Sequence, residues 1–216
     1  MKRGLIAFIF FTIHVTTANS QEDTSLNARL NAVLEATRKS DYNKVLDHTY
    51  PKLYELITRE KMLEVLQTAY DNEDFSITLD SVNAIKIYPI FAVEGERYTV
   101  AEYSMRMQMK FKESIDSTDK DAVNEREEMA TFMEEKFGEG NVRYDMNKDA
   151  IVIREISKLI AIKTKADNRW YFVNYDEDNP QILNFLFSKP VIEKIGTYKL
   201  DTLRNVQTDK KYLVFV

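Results

Sequence analysis

The sequence of 216 residues contains no cysteine, which excludes several kinds of chemistry. A chain without thiols cannot form a disulfide, carry a thiolate nucleophile or bind a metal through sulfur. It also cannot carry the lipid anchor that bacterial lipoproteins attach to a cysteine. We therefore expect the stability of the protein to come from its core.

Glycine and proline are also scarce, with five and four residues respectively. No linker rich in glycine, serine or proline divides the chain, and no segment repeats. With 44% hydrophobic residues, the chain can build a sizeable core. We predict one domain over residues 21–196, followed by a tail over residues 197–216.

The first twenty residues have the features of a cleaved signal peptide. Lys2 and Arg3 precede an apolar run from Gly4 to Val15, and Ala18-Asn19-Ser20 has the small-x-small pattern of a cleavage site. The run is shorter than the roughly 20 residues that a membrane-spanning helix needs. We therefore expect a periplasmic or extracellular protein with no stable membrane anchor. The absence of an Asn-x-Ser/Thr acceptor favours a bacterial envelope.

The net charge of the chain limits the classes of partner that we expect. The net charge is −5, and removal of Lys2 and Arg3 would leave 28 Lys and Arg against 35 Asp and Glu, a balance of −7. No basic cluster stands out in the sequence. We therefore expect neither nucleic acid nor an anionic membrane as a partner.

The polar motifs give little evidence of metal or cofactor chemistry. Three acidic runs lack the order of an EF-hand loop and fit turns and helix caps instead: residues 71–74, 116–121 and 176–179. The sequence also lacks the signatures of phosphate loops, dinucleotide sites, nucleophile elbows and His-Glu-x-x-His sites. We expect no metal and no cofactor.

Periodic apolar residues predict three helices at the start of the chain. The first carries Leu26, Leu30 and Leu34 and is capped by Asp23 or Thr24. The second begins at Ser40 or Asp41. Pro51 breaks or kinks it, and Thr58 caps the third.

A long antiparallel sheet is predicted to follow the helices. Its strands include residues 75–79, a run over residues 82–93, and a strand over residues 102–111. In the last of these, Tyr103 and the methionines alternate with Glu102, Arg106 and Lys110, which predicts one buried and one solvated face. We interpret the methionines as core residues. A change of parity between Ile156 and Ile160 predicts a bulge.

Further elements complete the predicted fold. A helix over residues 121–137 interrupts the strands and presents Met129, Phe132, Met133 and Phe137 on one face. A hairpin tip falls at Asp167-Asn168, and Pro180 begins a last helix. The apolar segment over residues 212–216 is predicted to be an edge strand, a docked tail or a strand lent to a partner. The predicted class is α+β, with N-terminal helices packed on a long, bent antiparallel sheet in a cone-like arrangement and an extra helix inserted between strands.

The order of these elements resembles the nuclear transport factor 2-like (cystatin-like) superfamily. The resemblance covers residues 24–175 and rests on the helical opening with its turn Lys39-Ser40-Asp41-Tyr42 and on the strand Arg169-Trp170-Tyr171-Phe172. The turn, the stretch Tyr50-Pro51-Lys52-Leu53 and the signal sequence are similar to secreted members from Bacteroidetes-type bacteria. The helix over residues 121–137 and everything after Pro180 depart from the pattern.

The resemblance implies a bent sheet wrapped around helices, with an apolar pocket inside the cone. Some relatives, such as ketosteroid isomerase and scytalone dehydratase, transfer protons in that pocket, and others only bind ligands or partners. The fold does not choose between these functions. None of the enzymes' catalytic motifs matches this sequence, so no catalytic residue is carried over.

His48 is the only histidine outside the signal segment, which excludes sites built from several histidines. It is either a general base in a pocket or an ordinary histidine at a helix end. Tyr50 and Asp41 are the other catalytic candidates. Several tyrosines are candidates for lining a pocket or filling a core: Tyr42, Tyr50, Tyr54, Tyr70, Tyr88, Tyr98 and Tyr103.

Three functions are compatible with these patterns. The first is an exported binding module that holds a small apolar ligand or a protein partner in the cone pocket or on the sheet face. The second is a small lyase or isomerase that works by general acid/base catalysis through His48, Tyr50 and Asp41. The third is a structural or assembly protein that forms a homodimer through its sheet.

Overall fold

The computed structural model describes residues 23–198. The predicted signal peptide and the apolar segment over residues 212–216 lie outside this range. Within it, the chain folds as α+β, which confirms the predicted class. No helix among the described residues is long and apolar enough to cross a membrane.

The chain opens with three helices and a short 3-10 helix: α1 (Thr24–Arg38), α2 (Tyr42–His48), the 3-10 helix (Pro51–Glu55) and α3 (Arg59–Tyr70). The side chains of Asp23, Asp41 and Thr58 each accept hydrogen bonds from backbone N–H groups in the first turn of the helix that follows. These N–H groups have no partner within the helix itself, so the caps determine where each helix begins. The predicted starts and the predicted break at Pro51 are confirmed.

Within the described residues, six antiparallel strands form one sheet: β1 (Phe75–Ile87), β2 (Phe91–Val93), β3 (Glu96–Phe111), β4 (Val142–Asp145), β5 (Ala150–Lys163) and β6 (Trp170–Asn174). The long strands β3 and β5 pair in the centre. Strands β1 and β2 lie end to end along the other edge of β3. Strands β4 and β6 occupy the outer edge of β5 in the same way, so the sheet is four strands wide.

Three further helices complete the described chain: α4 (Lys120–Phe137), α5 (Pro180–Leu186) and α6 (Lys189–Ile195). Helix α4 is inserted between β3 and β4, as predicted. Pro180 is the first residue of α5, also as predicted, because its missing N–H group costs nothing at that position.

The two faces of the sheet contribute to two separate cores. On the first face, side chains such as Met107, Met109 and Trp170 pack with the apolar stripe of α1 and with Ala130 of α4. The prediction that the methionines fill the core is confirmed. On the second face, Val100 and Ile160 pack with residues of α5 and α6. One end of the sheet is therefore buried on both sides.

Burial of the second face corrects the prediction for Glu102, which was expected on a solvated face. Its exposure is 0%, and its carboxylate accepts a hydrogen bond of 2.6 Å from the Tyr88 hydroxyl. Val100, two residues earlier on the same face, lies in the core that α5 and α6 cover. Arg106 and Lys110, further along the strand, are partly and largely exposed, as predicted.

The predicted bulge in β5 is wrong. Strand β5 pairs with β3 without a break in register from Ala150 to Lys163. The parity of its apolar residues changes because residues on both faces are buried at this end of the sheet. The register shifts lie in β1 instead, after Leu79 and after Ala84.

The predicted apolar face of α4 packs against the core only in part. Phe132 is 72% exposed and Met129 is 41% exposed, whereas Val123 and Ala130 are buried. Met133 and Phe137 pack against the first core only in part. Ala130 and Phe132 are two residues apart, so their side chains project from nearly opposite sides of the helix, and the side that carries Ala130 faces the core.

Candidate functional site

A cavity of about 360 Å³ lies between the N-terminal helices and the first face of the sheet. Its floor is formed by Tyr103, Met105, Leu159 and Phe172 from three neighbouring strands. Helices α1, α2, α3 and α5 contribute its walls, which are mainly apolar: Val33, Leu34, Val45, Leu46, Met62, Leu66, Ile182 and Leu183.

Backbone contacts fix one end of α2 against the sheet beside this cavity. Thr49 forms a parallel bridge with Phe172 of β6, and the Tyr50 N–H donates a hydrogen bond of 3.0 Å to the Phe172 carbonyl. The Tyr54 hydroxyl donates to the Leu46 carbonyl at 2.6 Å. These bonds place His48, the last residue of α2, on the cavity wall.

His48 is a polar group in an apolar environment. Its exposure is 8%, and its Nδ1 atom has no hydrogen-bond partner among the described residues. Burial lowers the pKa of the imidazole, and the positive charge of Arg29 lowers it further, against the opposing effect of Asp47. The ring is therefore neutral at pH 7 and can accept or donate one hydrogen bond to a molecule in the cavity.

We expect the imidazole of His48 to titrate below its ordinary pKa of 6.5. The unfolded chain then binds a proton more readily than the folded one, so stability falls as the pH drops below about 6.5. NMR titration of a chain in which His14 is replaced will report this pKa directly. The variant Asp47→Asn should lower it further, and a midpoint at or above 6.5 would contradict the burial of the ring.

Three phenol groups line another part of the cavity. Tyr42 and Tyr70 contact each other, with ring centroids 5.6 Å apart, and Tyr103 belongs to the floor. Burial raises the pKa of Tyr70, and burial raises the pKa of Tyr103 to about 12. The phenols of Tyr70 and Tyr103 therefore stay protonated at neutral pH and can donate hydrogen bonds to a ligand.

A carboxyl group lies close to these phenols. Glu155 faces the same side of the sheet as Tyr103, because it is two residues from Ser157, the residue directly opposite Tyr103. Burial raises the pKa of Glu155, and its negative charge contributes to the raised pKa of both Tyr70 and Tyr103. Sequence reasoning missed this residue. The sequence did contain a signal for it: Glu155 follows Ile151 and Ile153 at alternate positions, so it lies on the same face of the strand as these two apolar residues.

The three catalytic candidates do not converge. His48 lines the cavity, whereas Tyr50 packs in the second core, where its ring stacks on Phe187 at 6.0 Å. Asp41 is exposed and caps α2 by accepting a hydrogen bond from the Lys44 N–H. Of the tyrosines considered, Tyr42, Tyr70 and Tyr103 line the cavity.

The segment that precedes α5 forms one end of the cavity, and it contributes acidic and amide side chains there. Asn174, Asp176 and Asn179 belong to its lining. Within residues 23–198, no group of three or more His, Asp or Glu residues is arranged to hold a metal ion. The lining of the described cavity offers hydrogen bonding, apolar contact and proton transfer through His48.

Comparison with known proteins assigns this chain to no family. No family model matches this sequence, and no curated protein sequence matches it either.

Proposed function

We propose that this protein is a binding module that holds a small, largely apolar ligand in the cavity between its N-terminal helices and its sheet. The supporting observation is the size of the cavity, about 360 Å³, in a position where the two layers would otherwise pack directly. Protein interiors are close-packed and contain few voids larger than a water molecule. A volume above about 300 Å³ is typical of ligand sites.

The lining favours a neutral ligand with an apolar body and one or two polar atoms. Aliphatic side chains form most of the wall, and the phenols of Tyr70 and Tyr103 offer hydrogen-bond donors. His48 is neutral for the reasons given above and offers one more polar contact. An anionic ligand would lose hydration without gaining an ion pair from these groups.

The same proposal includes the cellular location of the protein and its relation to a known superfamily. We place the protein in the periplasm or outside the cell because of the signal sequence, and we relate it to the nuclear transport factor 2-like superfamily because of its helical opening and strand order. The cavity between helices and sheet is compatible with that relation. Helices α4, α5 and α6 remain departures from the superfamily pattern.

We expect cavity filling to abolish ligand binding. Leu66→Trp places an indole in the cavity, whereas Val65→Trp adds the same group at the next residue of α3, which is 49% exposed. Titration with the neutral dye Nile red should give one site, and Leu66→Trp should weaken its affinity at least tenfold while Val65→Trp leaves it unchanged. Equal affinities in both variants would contradict the proposal.

Native mass spectrometry identifies the natural ligand. The protein should be purified from its own source without refolding, so that a bound molecule is retained. A reproducible excess mass that disappears in Leu66→Trp and persists in Val65→Trp supports a ligand in the cavity. An apo mass in the unaltered protein, together with no dye binding, would count against it.

The position of His48 favours acid/base catalysis as a second candidate function. A neutral imidazole on the wall of an apolar cavity is suited to accept a proton from a substrate. This reaction would be that of a lyase or isomerase, with Glu155 as a second titratable group close to the phenols. Conversion of the retained ligand by the unaltered protein, and its loss in His48→Gln with binding preserved, distinguishes the enzyme from the binding module.

A further inference from the structure

Helix α3 forms part of the cavity wall but is attached to the fold more loosely than the other helices around the cavity. Each of α1, α2 and α5 has deeply buried residues, whereas none of the twelve residues of α3 is deeply buried. The residues of α3 that line the cavity are Met62, Leu66 and Tyr70, which share one face at four-residue spacing. Because this apolar face meets a cavity, movement of α3 away from the fold exposes little packed apolar surface.

The C-terminal end of α3 is bonded to the sheet. The carboxylate of Asp71 forms an ion pair of 2.7 Å with Lys112, and Asp71 also forms an antiparallel bridge with Ser76. In the turn that follows, the Asn72 N–H donates a hydrogen bond of 3.1 Å to the Phe75 carbonyl. These bonds tie this end of the helix to the start of β1, so any motion of α3 is smallest there.

The N-terminal end of α3 is held to α2 by Arg59, the first residue of the helix. The Nη2 atom of Arg59 donates hydrogen bonds of 2.8 Å to the Asn43 carbonyl and to the Asp47 carboxylate. Lys61 instead pairs with Glu64 of the same helix, at 2.9 Å. The bonds of Arg59 therefore break when α3 moves away from α2, whereas the Lys61 pair moves with the helix.

The link between Arg59 and α2 is weak enough to open. The side chains of Arg59 and Asp47 are 34% and 65% exposed, and water screens ion pairs in such positions. The segment that precedes α3 includes the exposed residues Leu56 and Thr58, so it can move without uncovering a core. Local opening starts in regions with few buried contacts and exposed polar bonds.

We propose that α3 is a lid that turns about its C-terminal end to admit a ligand, and that Arg59 is the latch that holds the lid shut. The purpose of the lid rests on the proposed function, whereas its motion follows from the attachments of α3. The other helices around the cavity are unsuited to this role. Their movement would expose core residues such as Leu30, Leu46 and Leu183.

Thiol labelling measures the opening of the lid, and the absence of native cysteine leaves no background. Val33→Cys places one thiol on the α1 wall of the cavity, where the native side chain is 5% exposed. We expect Arg59→Met to raise the rate of its reaction with dithionitrobenzoate at least fivefold. The control Lys61→Met removes the same charge from the same helix and should leave the rate unchanged. Equal rates in the two variants would overturn the proposal.

The urea dependence of labelling separates the lid from unfolding of the whole domain. Lid opening exposes little surface, so the labelling rate of Val33→Cys should rise only weakly at low urea concentrations. A rate that follows the free energy of global unfolding would contradict the lid.

Hydrogen exchange tests the lid in the unaltered protein, where no substitution can disturb the fold. A detached helix of twelve residues is marginally stable in water, so the open lid also loses its backbone protection. We expect the amides of α3 to be protected at least tenfold less than those of α1. Equal protection of the two helices would also overturn the proposal.

Dye binding separates failure of the lid from failure of the proposed function. Arg59→Met should speed both association and dissociation of Nile red at least threefold and change the Kd less than twofold. The reason is that the latch holds the empty and the occupied cavity shut alike. Dye that binds with unchanged rates would contradict the lid and leave the binding function intact. A protein that binds no dye but shows the expected labelling and exchange would support the lid and contradict the binding function.

Discussion

Replacing Asp23 with alanine is expected to lower the free energy of unfolding by about 2 to 4 kcal/mol. One part of the loss is the cap of α1, where Asp23 accepts hydrogen bonds from the backbone N–H groups of Ser25 and Leu26. The other part is the indole of Trp170, which is 0% exposed and donates a hydrogen bond of 3.2 Å to the same carboxylate. Alanine would leave this buried donor without its partner.

The carboxylate of Asp23 also makes the free energy of unfolding depend on pH. Burial alone would raise the pKa of Asp23, but the hydrogen bond from Ser25 and the charge and hydrogen bond of Lys163 together lower it to about 2. Because the folded pKa lies below the unfolded value, the contribution is complete above pH 4. It is lost as the pH falls through about 2. Asp23→Ala should remove this component of the acid sensitivity.

Urea denaturation of Asp23→Ala and Asp41→Ala at pH 7 measures the difference. Asp41 is a matched control, because it also caps a helix but is exposed and has no contact with Trp170 among its described hydrogen bonds. Its replacement should cost about 1 kcal/mol. Equal losses in the two variants would show that the link between Asp23 and the indole contributes nothing.

Glutamate at position 130 is expected to destabilise the protein by about 3 kcal/mol or more, whereas glutamate at position 132 should change stability by about 0.5 kcal/mol or less. Ala130 is 5% exposed in the first core, so a carboxylate there would be buried without a partner. Phe132 is 72% exposed, so a carboxylate there stays in water.

Thermal or urea denaturation of Ala130→Glu and Phe132→Glu decides between two orientations of α4. The sequence pattern groups Phe132 with the apolar residues of one helix face, whereas the structure buries Ala130 and exposes Phe132. A larger loss in Phe132→Glu than in Ala130→Glu would mean that the helix presents the face predicted from the sequence.

Local features of the fold were predictable because local chemistry decides them. Asp23, Asp41 and Thr58 begin helices because their side chains bond to N–H groups two or three residues away. Pro51 breaks a helix through its own ring. Alternation along β3 predicted which face of that strand holds the methionines, since successive side chains point to opposite sides of a strand.

The candidate site was predictable only in part. His48 could be selected because the sequence outside the predicted signal segment has no other histidine, but its place on a cavity wall depends on the bridge between Thr49 and Phe172. Tyr50 and Asp41 are close to His48 in sequence, yet the end of α2 and the following bridge send the three side chains to different surroundings. Glu155 approaches the phenols only through the register of β3 and β5.

Local patterns along the chain were enough to predict the helix caps, the helix break, the strand alternation and the α+β class, because each depends on residues within one turn or one strand. Packing between distant segments sets which elements cover each face of the sheet, and so whether Glu102 is buried, which side of α4 faces inward and where a cavity remains. The register of the strands also brings Arg106, Arg143 and Arg154 together, although no basic cluster exists along the chain. These features arise from contacts between distant segments, whose register and packing no local pattern specifies.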